Sequence, residues 1–451
     1  METLTIQHAN AMPAPTWHRL RMNDAAIDLP AGLTFARQVE VECAEELLGE
    51  AGAFEEALSV AAQRFGEQPA ECAADQGFSP VEPASLPTSA AHQVDDQATL
   101  PAATKSGPAA HQVDSPATLP AATEALDTPA LSFYQQQAFE SRYLSAADVF
   151  TTGMGDEVRE YLEFAAGDPL VFATRPGENT CATVRVSGVD GAVNAAAIDV
   201  VAAPGSSLSL AIALDSPAPG SGVVGVRLRV FAGADARVNV SCTQTLDDSW
   251  TVLDDAGIVL AERARVQVRH TVLGAGRAFT GLDADVRGDD ARLDLDTRYL
   301  GHGAQQRDFN YVAHQRGRRT VCNLDANGVL AGASTKTLRG TIELVHGCKG
   351  SFGSEQETVL LADERVENRT VPVILCDEDD VAGNHGATIG HVRPEQLLYL
   401  ASRGISPDDA ERLFITAAYQ EAALAAPNER TRAAVARLAA TRGIALEEEV
   451  A

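Results

Sequence analysis

The sequence predicts a mainly β protein, a β-solenoid core flanked by N-terminal and C-terminal α-helical regions. Three observations carry that expectation. From Gly167 the apolar pattern keeps period two for roughly 210 residues, in short β-branched runs such as "ATVRVSGV", "GVRLRVFAG" and "GTIELVHG" separated by Gly, Asp and Asn turns. Within that block "ARVNV" at 236–240, "ARVQV" at 264–268 and "ARLDL" at 291–295 begin 28 and 27 residues apart, and "RTVCNL" at 319–324 continues the interval. A sandwich has no reason to keep such a period, whereas each coil of a solenoid repeats the coil beneath it and buries its apolar face by stacking. On either side of the block the apolar spacing turns helical.

Residues 1–68 are expected to form a small N-terminal helical region. The stretch 36–66 reads as helix, with Phe54, Leu58, Ala61, Ala62 and Phe65 on one apolar stripe. Residues 69–130 are expected to be a disordered insert: nine of the chain's 21 prolines lie there, with one aromatic, Phe78, and one lysine, Lys105. Such a composition cannot bury enough apolar area to offset the entropy of ordering. Inside it "AAHQVDDQATLPAAT" at 90–104 recurs as "AAHQVDSPATLPAAT" at 109–123, so His92 and His111 are copies of one another rather than a metal pair. Helical character resumes over 131–166, where "SAADVF" and "GDEVREYLEF" carry cap-like residues. The β-helix core is assigned to 167–392.

Three amphipathic helices are expected in the C-terminal region, 393–451. "RPEQLLYLASRG" has Pro394 just inside its start and Gly404 just past its end. "SPDDAERLFITAAYQEAALAAP" sets Ala410, Leu413, Phe414, Ala417 and Leu424 on one face, and "NERTRAAVARLAATRG" precedes the acidic end "LEEEVA". These helices are expected to cap the last coil, to bind another protein, or both.

The totals narrow the function. Thirty-five Lys and Arg against 63 Asp and Glu leave a net charge of -28 on 451 residues. That charge repels phosphate backbones and anionic lipid, so no nucleic acid and no membrane is expected as a partner. No apolar run approaches the ~18 residues of a membrane span, and the N-terminus lacks the apolar centre of a signal peptide, which predicts a cytoplasmic address. The cysteines, at 43, 72, 181, 242, 322, 348 and 376, are odd in number and include no CxxC, so neither a disulfide framework nor a zinc knuckle is indicated. Cys322, Cys348 and Cys376 lie 26 and 28 residues apart, near the coil interval. They read either as small core residues near one column of the stack or as thiols grouped for metal or sulfur chemistry.

The motifs of several enzyme classes are missing: no GxxxxGKS/T loop, no complete GxGxxG fingerprint, no HExxH helix and no GxSxG elbow occurs. Asp294 and Asp296 share one face of a strand and read as its solvated side. His270, His302, His346 and His391 read as hydrogen-bonded structural residues. His385 differs, because Gly383 and Gly386 leave space around its imidazole, and Asp379 and Asp380 stand just upstream to orient a ring nitrogen. A neutral imidazole of that kind suits iron, zinc or copper.

"DDVAGNHGATIG" followed by "EQLLYLASRGI" closely resembles the end of the SufB/SufD family of iron–sulfur cluster assembly proteins, the SufD branch more than SufB. The likeness reaches back through "SEQETVLLADERVENRTVPVILCDEDDV" and "RGTIELVHG" to "QQRDFNYVAHQRGRRTVCNLDANGVLAG", with a vaguer fit of "PTWHRL" and "IDLP". The resemblance implies a right-handed parallel β-helix between helical regions, paired with a SufB-like homologue and engaging a SufC-type ATPase through the C-terminal helices. By position it implies that His385 lies at the interface with that homologue, where a transient iron–sulfur cluster forms. It further implies that Leu397, Leu398, Tyr399, Leu400, Arg403 and Gly404 help present the C-terminal region to the ATPase. Gln356 and Glu357 count as partner-binding positions, Glu357 standing where SufB has a cluster-related cysteine. Gly386 stands where SufB has a glutamate. Both departures, with the absence of an N-terminal cysteine cluster, favour SufD. Many relatives carry a cysteine two positions before the histidine, and here that place is Gly383, so thiolate for a shared cluster has to come mainly from the partner.

The function expected on these grounds is a non-catalytic scaffold subunit, which supplies His385 to a shared cluster site and transmits ATP-driven motion through its C-terminal helices. A purely architectural subunit without a ligand role is one alternative. The other is a β-helix enzyme acting on acidic polysaccharide through solenoid Asp and Arg residues, disfavoured by the missing secretion signal and by the charge.

Overall fold

A computed structural model of the chain describes residues 3–14, 22–66, 150–391 and 393–446. The expected insert at 69–130, with its duplication, and residues 131–149 lie outside the described residues. The rest is a parallel β-solenoid of about eight turns with helices toward both termini.

Sixteen consecutive strands run from β5 (Leu170–Ala173) to β20 (Ala382–His391) and alternate between two sheets. Each strand pairs in parallel with the strand two places on, so the sheets grow one coil at a time. Identical registers stack like residues in columns: Val238, Val266, Leu293 and Cys322 form one, Val240, Val268, Leu295 and Leu324 the next. These side chains fill the lumen between the sheets, and each coil is buried by its neighbours, which is how short runs with small side chains build a continuous core.

The turns repeat as faithfully as the strands. Asp235, Arg263, Asp290 and Arg319 occupy one corner of successive coils with φ between 54 and 61°. Each donates its backbone N–H to a carbonyl in the corner of the following coil, as Arg263 does to Asp289 and Arg319 to Lys349 at 2.9 Å. Gly350 ends this ladder by donating to Asp380 at 2.6 Å, which fixes the turn leading into β20.

The N-terminal region is not purely helical. It forms the antiparallel pair β1 (Thr3–Ala9) and β2 (Ala25–Pro30), then β3 (Thr34–Ala36) and β4 (Val39–Cys43), before helix α1 (Ala53–Gly66). "VEVEC" alternates with period two, and this outweighs the helix-favouring composition read over 36–66. Strands β3 and β4 start the two solenoid sheets, β3 parallel and β4 antiparallel to their neighbours. In α1, Phe54 and Leu58 are buried as the stripe predicts. Helix α2 (Asp156–Ala166) and the β1–β2 pair cover the outer face of the odd-numbered sheet through Ile6, Ile27, Leu29, Val158, Leu162, Val223 and Phe279. The approach is close: a Cβ on Gly153 would lie 1.9 Å from the Leu282 backbone nitrogen.

The C-terminal helices are α3 (Pro394–Ser402), α4 (Pro407–Leu424) and α5 (Glu429–Thr441). Ser406 and Asn428 cap α4 and α5 by accepting the backbone N–H of Asp409 and Thr431. Of the expected roles, capping the last coil does not hold for α4 and α5, which pack on earlier coils. Tyr419, Ala422, Val435 and Leu438 bury against Leu273 and Leu300 of earlier coils, and ion pairs tie Arg442 to Asp248, Arg298 to Glu421 and Arg430 to Glu40. No described helix is long and apolar enough to cross a membrane.

Candidate functional site

The last coil consists of β19 (Glu367–Cys376) and β20, each the terminal strand of its sheet. Their outer backbone edges have no further strand to pair with, and β20 is exposed along nearly its whole length. The coil below is β17 (Thr335–Leu344) and β18 (Phe352–Leu361). In β18, Gly353, Glu355, Glu357, Val359 and Leu361 are buried, alternating with the more exposed Gln356 and Thr358. Parallel in-register pairing gives partnered residues the same face, so His385, opposite Glu355, lies on the lumen side of β20. With no coil above it, the ring is exposed at the open end of the solenoid.

The carboxylates that sequence reasoning set beside His385 are not its neighbours. Asp379 and Asp380 lie in the turn before the strand, and five residues of extended chain at ~3.3 Å each carry His385 away from Asp380. No hydrogen bond joins their side chains to the ring among the described residues. The carboxylate next to His385 comes from the preceding coil. Glu355 is 4% exposed, and its Oε2 has no hydrogen-bond partner. Burial, then the adjacent Glu357, push its carboxyl up to about 8, against the opposing pull of Lys336. The signal was present in the sequence as a spacing: 30 residues separate the two, close to one coil.

Glu357 is not a partner-facing residue. It is 2% exposed and points into the lumen, where it pairs with the buried ammonium of Lys336 and accepts hydrogen bonds from Tyr299 Oη at 2.9 Å and Thr370 Oγ1 at 2.5 Å. Desolvation lowers the Lys336 pKa against the pull of Glu357. The period-two alternation makes this unavoidable: with Gln356 outward, Glu357 has to face inward. Gln356 is exposed on the outer face and packs on Gly386, where an added Cβ would stand 2.7 Å from its Oε1.

The remaining predicted positions form a second surface. In α3, Leu398 is 73% and Tyr399 58% exposed, the Arg403 guanidinium lies 5.2 Å from the Tyr399 ring centre, and Leu397 and Leu400 are half-buried. A groove of about 330 Å³ lined by Glu395, Gln396, Tyr399, Leu400 and Phe414 runs between α3 and α4. Gly404, at φ 82°, provides the left-handed turn that separates the two helices.

Cys322 in β16 (Val321–Leu330) and Cys348 in the turn after β17 are buried, and burial raises both thiols, Cys348 to about 12. Cys376 ends β19 and is exposed, so the three occupy different places on the coil rather than one column. Among the described residues no group of three or more His, Cys, Asp or Glu is placed to hold a metal ion. His270 is buried with its Nδ1 3.3 Å from Tyr311 Oη, and Asp294 and Asp296 pair with Arg292 and Arg269 on the outer face.

Residues 184–418 match the model of the family described as SUF system FeS cluster assembly, SufBD core domain. The chain is similar to the iron-sulfur cluster assembly protein SufD of Bacillus subtilis (strain 168), 26% identical over 198 residues, which are 44% of this chain and 45% of that protein. It is similar to SufD of Escherichia coli (strain K12), 24% identical over 200 residues, 42% of this chain and 47% of the relative. A SufBD family protein of Mycobacterium leprae (strain TN) is 31% identical over 121 residues, 27% of this chain and 14% of that protein. The chain thus matches less than half the length of each of these relatives.

Proposed function

The chain belongs to the SufB/SufD family of iron–sulfur cluster assembly proteins, and from that premise we propose that it is a SufD-like, non-catalytic scaffold subunit. It pairs through its open last coil with a SufB-like homologue and couples to a SufC-type ATPase. The observation that carries this reading is His385, an exposed imidazole on the lumen side of a coil with no strand beyond it. The cluster is cargo, built and then passed on. Imidazole binds iron more weakly than thiolate does, which suits a cluster that has to leave, and with Gly383 in place of a cysteine the thiolates come from the homologue. The exposed Leu398 and Tyr399 and the α3–α4 groove supply the apolar and aromatic surface for the ATPase. Since α4 and α5 are anchored on earlier coils, a pull on them is felt by the solenoid as a whole.

Anaerobic affinity purification of the tagged chain from cells expressing all three subunits tests the reading. It should recover a homologous solenoid protein and an ATPase, with iron and acid-labile sulfide. His385→Ala should leave the complex intact and lower both contents at least tenfold. Wild-type iron and sulfide in an intact His385→Ala complex would leave a purely architectural subunit. Recovery of neither partner would remove the proposal altogether.

A further inference from the structure

We infer that Glu355 is a second iron-binding side chain of this chain, joining His385 to hold one ferrous ion at the mouth of the lumen. The inference rests on the reading of His385 just given and extends it to a residue of the coil beneath.

Four observations converge on Glu355. It is in register with His385 on the neighbouring strand, on the same face, and such strands lie about 4.8 Å apart. A carboxylate oxygen and an imidazole nitrogen so placed can both reach one ion at the ~2.0–2.2 Å of ordinary metal–ligand bonds. Its carboxyl is buried with Oε2 unpartnered, a condition that costs stability and that structures otherwise avoid. The opposing strand leaves room for it: at Gly340 a Cβ would stand 2.2 Å from Glu355 Oε1. Finally, the charge-balancing groups nearby are already engaged. Lys336, Tyr299 and Thr370 all bind Glu357, so two neighbouring lumen glutamates have opposite fates, one fully partnered and one left over.

The chemistry identifies the ligand as a divalent transition metal and, on the proposed function, as ferrous iron. Carboxylate and imidazole together suit Fe(II), whereas a finished cluster prefers thiolate. Two side chains leave the other coordination positions to water, sulfide or the partner's thiolates, and the ion is held weakly enough to move on.

The test uses the full-length chain, freed of metal and titrated anaerobically with Fe(II) against a chromophoric chelator, and separately with Co(II), whose visible absorption reports nitrogen and oxygen ligands. One site is expected. Glu355→Gln and His385→Ala should each weaken it 10- to 100-fold, while circular dichroism and thermal melting show both variants folded, and Glu355→Asp should keep part of the affinity. Wild-type binding in Glu355→Gln together with lost binding in His385→Ala would overturn the inference and leave the proposed function standing. No uptake by the wild-type chain at millimolar metal, or wild-type uptake in both variants, would also overturn it. Cluster content of the His385→Ala complex tests the proposed function without reference to Glu355, so the two can fail separately.

Discussion

Lys336 and Glu357 form a buried ion pair roofed by a single coil. Taking two charges into a lumen otherwise lined by Leu338, Ile342 and Val359 carries a desolvation cost that the pair and its two hydroxyl partners offset only together. Removing one member strands the other. Lys336→Met should therefore destabilise the protein by about 3–5 kcal/mol in urea denaturation. The double variant Lys336→Met/Glu357→Leu should recover most of that loss. A double variant as unstable as the single one would mean that the packing of Lys336, not its charge, matters. The pair was not legible in the sequence, and Glu355 was legible only as a spacing of about one coil from His385. Reading Gln356 and Glu357 as neighbours on one surface overlooked the two-residue alternation of the strand. The pairing of Glu355 with His385 needs a coil-by-coil register, which irregular turns hide: successive partners in these sheets are 26 to 32 residues apart. His385 was legible because its surroundings are local, two small glycines on the same strand.

Many solenoid strands were legible as elements because they carry a period-two pattern and recur at the coil interval, as β10 (Arg237–Gln244), β12 (Arg265–Val272) and β14 (Arg292–Gly301) do, features independent of what packs outside. Where neighbours decide, the sequence says less: α4 and α5 dock on a flank that no sequence pattern marks. Outer-face columns join successive strands as well. His314 of β15 (Gln306–Gln315) hydrogen-bonds Glu343 of β17 through Nδ1, and its Nε2 lies 3.4 Å from Asp283 of β13 (Arg277–Val286). Asp285 and Arg316 stand beside them. Burial works against a charged ring, but Asp283 and Glu343 outweigh it and raise the pKa to about 10. A group raised in the folded state stabilises fully below its unfolded value, about 6.5, and loses that contribution as pH rises through the folded one. Stability should therefore fall between about pH 6.5 and 10, and His314→Gln should flatten that slope in urea denaturation series across the range. An unchanged slope in the variant would show that other groups govern it.

At the scale of the whole molecule the two ends of the solenoid differ. At the first coil β4 turns antiparallel to β6 (Asn179–Ser187), Leu48 bridges to Phe172, and α1 packs beside them, so the starting edge is partly blunted. The last coil is open, its strands unpaired along their outer edges, the arrangement that invites pairing with another chain. In a stack where each coil contacts only its neighbours, stability is a sum of coil and interface contributions. A coil with one neighbour therefore opens at lower cost than a coil with two. Hydrogen–deuterium exchange on the isolated chain should find Glu367–Cys376 and Ala382–His391 exchanging at least tenfold faster than the central strands Trp250–Leu260 and Arg265–Val272. Binding a SufB-like partner should slow the terminal strands toward the central rate while the central strands stay as they were, because new pairing at the open edge gives the last coil its missing neighbour. Protection of α3 and α4 without change in β19 and β20 would place the partner on the helices instead, and His385 would then have no chain facing it.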